Sequence, residues 1–93
     1  MGKYTINLSE KAEKDLKKIY NSGDKKSIKK IEKIFEELMI HPYKGTGNPE
    51  LLKYQFKGLW SRRINQKDRL IYEVNENIVS VFVISAFGHY NDK

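Results

Sequence analysis

The first half of the chain contains one strand-like pattern and two helical ones. Tyr4–Leu8 places apolar and polar residues in turn, which is the period of a β-strand. Ser9 and Asp24 can each cap a helix, and Asn21–Gly23 and Pro42 are typical of helix ends. An antiparallel helical hairpin is predicted, because apolar residues recur at helical spacing at Ala12, Leu16, Ile19 and Tyr20 and then at Ile28, Ile31, Ile34, Phe35, Leu38 and Met39.

Strand signals dominate the second half, after a loop at residues 43–50 that contains two glycines and a proline. Strands are predicted at Leu52–Phe56, Trp60–Ile64, Arg69–Val74 and Ile78–Phe87. The last of these is apolar on both faces, which places it inside the sheet rather than at an edge.

The order of these elements predicts an α+β fold that occupies residues 1–93 as a single domain. An N-terminal strand is followed by a two-helix antiparallel hairpin, and the hairpin packs on one face of a mostly antiparallel sheet of four to five strands. Such an arrangement buries one face of the sheet and leaves the other free for a functional site.

Composition excludes several classes of protein. With 39% hydrophobic and 32% charged residues, the chain is globular rather than disordered. No apolar run approaches the roughly 20 residues of a membrane span, and the start has no apolar core of a signal peptide. Cysteine is absent, which removes disulfides, thiolate metal sites and a cysteine nucleophile. A cytoplasmic location is expected.

Net charge is the first positive indication of function. Eighteen Lys and Arg against twelve Asp and Glu give a net charge of +6. On a domain of this size, that balance favours a polyanionic partner, either a nucleic acid or an acidic protein segment. The lysines of the two helices are either solvated faces or a non-specific grip on a phosphate backbone.

The arginines of the predicted sheet are candidate phosphate ligands, because the guanidinium fork donates two parallel hydrogen bonds and stays charged. Strand alternation turns Ser61 and Arg63 to one face and Arg62 to the other. Arg62 is interpreted as a surface residue that is solvated at an edge or pairs with Glu73. For Arg63 and Arg69, a solvated and a phosphate-binding role stay equally open.

Glu50 and His89 could supply acid–base chemistry. Glu50 follows Pro49 at the mouth of a strand and could deprotonate a substrate hydroxyl, or it could simply be solvated. His89 follows the predicted central strand, and Tyr90 could stack on a base or cover the end of the sheet. His41 precedes a proline and is assigned no role. A carboxylate, an arginine and a histidine are the groups that metal-free RNA cleavage requires.

Other chemistries lack their motifs. Two distant histidines without cysteine or a ligand cluster predict no metal site and no cofactor. Gly45-Thr46-Gly47 is a lone G-x-G without the later residues of a phosphate loop, and no G-x-S-x-G nucleophile elbow is present.

A compound motif resembles a known family. Its parts are G-x-G-x-P-E-x-L-K, W-S-R-R-I, R-L-I-Y and a late His-Tyr pair, at Gly45–Lys53, Trp60–Ile64, Arg69–Tyr72 and His89-Tyr90. Together they resemble the YoeB (Txe/YoeB) toxins of the RelE/ParE superfamily, which act in type II toxin–antitoxin systems. The resemblance covers essentially the whole chain, although the family typically ends at the His-Tyr pair and this sequence continues for three residues.

The resemblance implies a ribosome-dependent endoribonuclease that cuts mRNA in the A site and is neutralised by a YefM-type antitoxin. It implies metal-independent cleavage that leaves a 2′,3′-cyclic phosphate or 3′-phosphate and a 5′-hydroxyl, and a homodimer. Glu50 matches the general base of the family, Arg69 the arginine that stabilises the transition state, and His89 the general acid. Tyr90 matches the aromatic residue that orients the scissile nucleotide, and Lys53 and Arg63 match positions near the phosphate backbone.

Two alternatives of other classes stay open. A ParE-like toxin shares the fold but inhibits DNA gyrase and needs no nuclease residues. A non-catalytic basic module would bind nucleic acid with steep salt dependence and would be indifferent to the loss of Glu50. The co-occurrence of Glu50, Arg69 and His89 favours the nuclease.

Overall fold

The computed structural model describes residues 3–86 and contains a five-stranded sheet and two α-helices. The elements in chain order are β1 (Thr5–Leu8), α1 (Glu10–Asn21), α2 (Lys25–Leu38), β2 (Glu50–Leu51), β3 (Trp60–Arg63), β4 (Arg69–Asn75) and β5 (Ser80–Ser85). A short 3₁₀ helix, Tyr54–Phe56, lies between β2 and β3.

The sheet order is β1-β5-β4-β3-β2. The pair β1–β5 is parallel, and the other three pairs are antiparallel. The predicted α+β class is therefore confirmed, and so is the position of the last strand inside the sheet. The short strands β1 and β2 form the two edges.

Both helices begin where the sequence predicts caps. The Ser9 hydroxyl accepts a hydrogen bond from the Ala12 N–H at 2.9 Å, and the Asp24 carboxylate accepts one from the Ser27 N–H at 3.2 Å. The bonds to Ser27 also lower the pKa of Asp24. α2 ends at Leu38, a few residues before the predicted stop at Pro42.

The core lies between the helical hairpin and one face of the sheet. Its buried residues come from both helices and from alternate positions of the strands, as expected if the helices cover only one face. The cluster comprises Ala12, Leu16, Ile19, Ile31, Ile34, Leu38, Ile64, Leu70, Tyr72, Val81, Val83 and Ala86.

The predicted strand at Leu52–Phe56 is wrong. Pairing with β3 covers only Glu50 and Leu51, and the chain then turns into the 3₁₀ helix. Tyr54 has a φ of 60°, in the left-handed region that a strand residue cannot adopt. The alternation of apolar and polar residues in this segment therefore does not reflect strand pairing.

No helix in the described part of the chain is both long enough and apolar enough to cross a membrane.

Candidate functional site: a carboxylate and two arginines on the open face of the sheet

The face of the sheet turned away from the helices, here named the open face, carries Glu50. Glu50 on β2 lies directly opposite Ser61 on β3, which in turn lies opposite Ile71 on β4. Residues paired in this way point to the same face, with Cβ atoms about 4.5–5.5 Å apart. Arg62 and Tyr72 alternate with them and are buried on the helix side. The row containing Glu50 is therefore on the predicted free face.

Two arginines occupy the next row of the open face. Arg63 on β3 is directly opposite Arg69 on β4, with Arg63 exposed and Arg69 half-buried. Like charges in this position destabilise a sheet. Among the described residues, neither guanidinium has an ion-pair partner. The two cations therefore form a site where an anion would relieve their repulsion, and their planar donors suit a phosphate.

The carboxylate and the arginine pair are close neighbours. Arg63 is two positions along β3 from Ser61, so Glu50 and Arg63 are diagonal neighbours with Cβ atoms about 7–8 Å apart. Extended side chains span this distance, so one bound group could contact both.

The remaining predicted site residues are Lys53, His89 and Tyr90, and Lys53 does not belong to the two rows that contain Glu50 and the arginine pair. Lys53 is exposed and immediately precedes the 3₁₀ helix at the outer edge of the sheet, beyond the end of β2. His89 and Tyr90 lie outside the described residues. The structure thus brings together Glu50, Arg63 and Arg69, with Lys53 near the same edge.

The interpretation of Arg62 as a solvated residue or a partner of Glu73 is wrong. Its side chain is completely buried on the helix side, whereas Glu73 belongs to the open face. The guanidinium forms an ion pair with the Glu37 carboxylate of α2 at 2.7 Å. It also donates to the Tyr72 hydroxyl at 3.1 Å and to the backbone carbonyls of His41, Lys44 and Thr46 at 2.9, 2.7 and 3.3 Å.

Glu37 is the residue that sequence reasoning missed. Its carboxylate accepts hydrogen bonds from Arg62, from the Thr46 N–H at 2.7 Å and from the Thr46 hydroxyl at 2.8 Å. Burial raises the pKa of Glu37, but the bonds from Thr46 and Arg62 outweigh it and hold the pKa below its ordinary value. The signal in the sequence was the position of Arg62 between Trp60 and Ile64, which face the core.

The start of the loop after α2 is held by a second cluster. The hydroxyls of Tyr4 and Tyr43 both donate to the Glu76 carboxylate, and the Tyr43 ring packs on Trp60 with centroids 5.1 Å apart. Burial and the hydrogen bond to Glu76 raise the pKa of Tyr43 to about 12. These contacts tie the loop to the β4–β5 turn and to β3.

Ser61 has a buried hydroxyl that forms no hydrogen bond within residues 3–86. A buried donor without a partner lowers stability by about 1–3 kcal/mol. We therefore expect Ser61→Ala to leave the free energy of unfolding unchanged or to raise it by about 1 kcal/mol, measured by urea denaturation.

Ser27 provides the matched control for this substitution. It is equally buried, but its hydroxyl donates to Asp24 at 2.7 Å and accepts from Asn65 at 2.8 Å. Ser27→Ala should lower stability by about 1–2 kcal/mol because both partners lose a bond. A larger loss in Ser61→Ala than in Ser27→Ala would contradict the absence of a hydrogen-bond partner for the Ser61 hydroxyl among the described residues.

Within residues 3–86, no three His, Asp or Glu side chains are grouped as ligands of a metal ion would be. The chemistry present is a carboxylate beside paired guanidiniums on a sheet face that no described helix covers. Together with the net charge of +6, this arrangement defines the class: a small basic α+β protein whose open face carries a carboxylate and two arginines.

Comparison with known proteins identifies the family within this class. Residues 8–90 match the model of the YoeB-like toxin of bacterial type II toxin–antitoxin systems, and the chain belongs to this family. It is 39% identical to Toxin YoeB of Escherichia coli O6:H1 (strain CFT073) over 71 residues, which cover 76% of this chain and 82% of that protein.

Solved structures agree with the sequence comparison. The YoeB dimer from Staphylococcus aureus superimposes with a TM-score of 0.78 and 34% identity, covering 95% of this chain and 99% of that one. The heterotetrameric YoeB–YefM toxin–antitoxin complex from Staphylococcus aureus has a TM-score of 0.76 and 35% identity, covering 94% and 98%. The predicted resemblance to YoeB toxins is confirmed.

Proposed function

We propose that the whole chain is a single-domain mRNA endoribonuclease toxin that cuts ribosome-bound mRNA in the A site and thereby inhibits translation. The observation that carries the proposal is the placement of Glu50 one row from the Arg63–Arg69 pair on the open face. Membership of the YoeB-like toxin family supports it. We expect the protein to act in the cytoplasm, where ribosomes translate mRNA.

The proposed reaction is attack of the RNA 2′-hydroxyl on its own phosphate. Glu50 takes the 2′-hydroxyl proton while the 2′-oxygen forms a bond to phosphorus. The bond from phosphorus to the 5′-oxygen breaks, and His89 protonates that oxygen. The products are a 2′,3′-cyclic phosphate, or the 3′-phosphate after its hydrolysis, and a 5′-hydroxyl. No metal ion takes part in these steps.

The remaining residues bind and stabilise the substrate. Arg69 donates to the phosphoryl oxygens, on which negative charge builds up in the transition state. Arg63 and Lys53 bind the neighbouring phosphates, and Tyr90 orients the scissile nucleotide. Arg69 is half-buried, which reduces solvent screening of its charge and strengthens this interaction.

The proposed macromolecular partners are the 70S ribosome with its mRNA, a YefM-type antitoxin and a second copy of this chain. The antitoxin and the homodimer are supported by similarity to the YoeB–YefM complex and to the YoeB dimer of Staphylococcus aureus. The lysines of α1 and α2 are exposed along the helical hairpin, except for the half-buried Lys30, and they suit ribosomal RNA.

Glu50→Ala tests the function directly. In a translation reaction programmed with a defined mRNA, primer extension should reveal discrete cuts at the A-site codon with the wild-type protein. These cuts should disappear in Glu50→Ala, because no other described carboxylate is placed in the row beside the two arginines.

Glu73→Ala is the control, since Glu73 also lies on the open face, on β4, but pairs with Phe82 away from the arginines. It should cleave like the wild type. Blocked translation with intact mRNA would instead favour a gyrase inhibitor, to be examined in a supercoiling assay. Binding without any cleavage would indicate a non-catalytic nucleic-acid-binding module.

A further inference from the structure

Glu50 stands at the end of a long loop and on a strand too short to fix it. The α2–β2 loop, residues 39–49, leads directly into β2. β2 has only two residues and is paired on one side, with β3. A strand this short is marginal on its own, so the position of Glu50 depends on what holds the loop.

The loop is held from the helix side by Glu37 and Arg62. Arg62 donates to three loop carbonyls, and Glu37 accepts both the N–H and the hydroxyl of Thr46. Next along the loop, the Gly47 carbonyl accepts the backbone N–H of Arg63 at 2.7 Å. These anchors end three residues before Glu50.

The backbone of the loop is fitted to these anchors. Gly45 has a φ of +123°, and a Cβ there would lie 2.2 Å from Glu37 Oε1 and 3.3 Å from Arg62 Nη1. The loop thus approaches the ion pair so closely that only glycine fits without displacing the carboxylate.

We propose that Glu37 and Arg62 are positioning residues, which hold the α2–β2 loop so that the Glu50 carboxylate stands beside the arginine pair. The proposal rests on the proposed function for its catalytic consequence. β3 then acts through both faces: Arg62 fixes the loop on the helix side, and Arg63 faces the substrate on the open face. Neither Glu37 nor Arg62 touches RNA, and both act on cleavage through Glu50.

Gly45→Ala tests the proposal, because the added methyl group must push the Glu37 carboxylate away from Thr46 and Arg62. A displacement of about 1 Å at a catalytic group lowers the rate by about a hundredfold. We expect kcat for mRNA cleavage to fall by about that factor, with KM unchanged because the phosphate-binding arginines stay in place.

Gly23→Ala is the matched control. Gly23 also has a positive φ, +83°, but no atom lies within 4 Å of a Cβ built there. Both variants therefore carry left-handed backbone strain, and only Gly45→Ala disturbs the ion pair. Gly23→Ala should keep the wild-type kcat, and equal losses in the two variants would overturn the proposal.

Two substitutions of Thr46 disturb the same ion pair less than Gly45→Ala does. Thr46→Val removes only the hydroxyl that donates to Glu37, and Thr46→Ser restores that donor. We expect kcat to fall about tenfold in Thr46→Val, as the loss of a hydrogen bond to a charged group implies, and to recover in Thr46→Ser. If Thr46→Val and Thr46→Ser both lost activity and both had a lower Tm, the contact between Thr46 and Glu37 would have a merely structural role.

A readout that needs no cleavage separates this proposal from the proposed function. The ¹³C NMR signal of the Glu50 carboxylate should shift in Gly45→Ala and stay at its wild-type position in Gly23→Ala. An unchanged Glu50 signal in Gly45→Ala would overturn the positioning role, whatever the translation assay shows. A wild-type protein that leaves mRNA intact would overturn the nuclease function alone.

Discussion

Arg62→Met should lower the free energy of unfolding by about 3–5 kcal/mol, because it removes a completely buried guanidinium that pairs with the half-buried Glu37 carboxylate and donates to several backbone carbonyls. Methionine restores most of the volume but leaves the Glu37 carboxylate without its cation. The carbonyls of His41, Lys44 and Thr46 lose their donor as well. A loss of this size is a large fraction of the roughly 5–15 kcal/mol that stabilises a domain.

Urea denaturation followed by the fluorescence of Trp60 measures this effect. Trp60 is the single tryptophan, and it packs against Tyr43 at the start of the same loop. Its emission therefore reports on the α2–β2 loop as well as on global unfolding.

Arg63→Met is the control, since it makes the same change one residue along the same strand. Arg63 is exposed and faces Arg69, so its removal relieves repulsion and should change stability by less than about 0.5 kcal/mol. Similar losses for the two substitutions would contradict the assignment of Arg62 as the buried anchor.

The sequence predicted those parts of the fold in which the local pattern determines the structure. α1 and α2 combine a cap, an apolar stripe and a breaker, and these signals agree with one another. β5 is apolar on both faces, which favours a position inside the sheet, and it lies between β1 and β4 even though Phe82 on the open face stays exposed. The segment after β2 is different, because Leu52–Phe56 alternates apolar and polar residues as a strand does, and this pattern does not record the turn with positive φ at Tyr54.

The open face was predictable only one strand at a time. Because successive side chains of a strand lie on opposite faces of the sheet, Arg63 is on the opposite face from Arg62, and Arg69 is on the same face as Glu73. The pairing of Glu50 with Ser61 and of Arg63 with Arg69 depends on the register between strands, which the geometry of the turns sets. The pattern of a single strand does not contain this register, so the grouping of Glu50 with Arg63 and Arg69 was predicted only from the resemblance to a known family.

The ion pair between Glu37 and Arg62 joins residues 25 positions apart. Each was unremarkable in its own element, since a glutamate near the end of a helix and an arginine in a strand are most often solvated. Only the packing of α2 across β3 brings them together. The position of Arg62 between two core-facing residues was a signal for burial that the interpretation as a surface residue did not use, and its partner was not encoded locally.

Arg69→Ala should lower kcat for mRNA cleavage by about 10²–10³-fold without affecting folding. Removal of a single donor to a developing oxyanion has an effect of this size. Arg69 is the better placed of the two paired arginines for this role, because it is half-buried whereas Arg63 is exposed. The rate is measured by primer extension on ribosome-bound mRNA, and the fold by the urea midpoint.

Two further substitutions show which property of Arg69 matters. Arg69→Lys keeps the charge but loses the planar fork, so it should recover only part of the rate. Lys67→Ala removes an exposed cation from the neighbouring turn and should leave kcat unchanged, since that position lies outside the strand pairing. If Arg69→Ala cleaved as fast as Lys67→Ala, transition-state stabilisation would have to come from another cation, and Arg63 would be the residue to replace next.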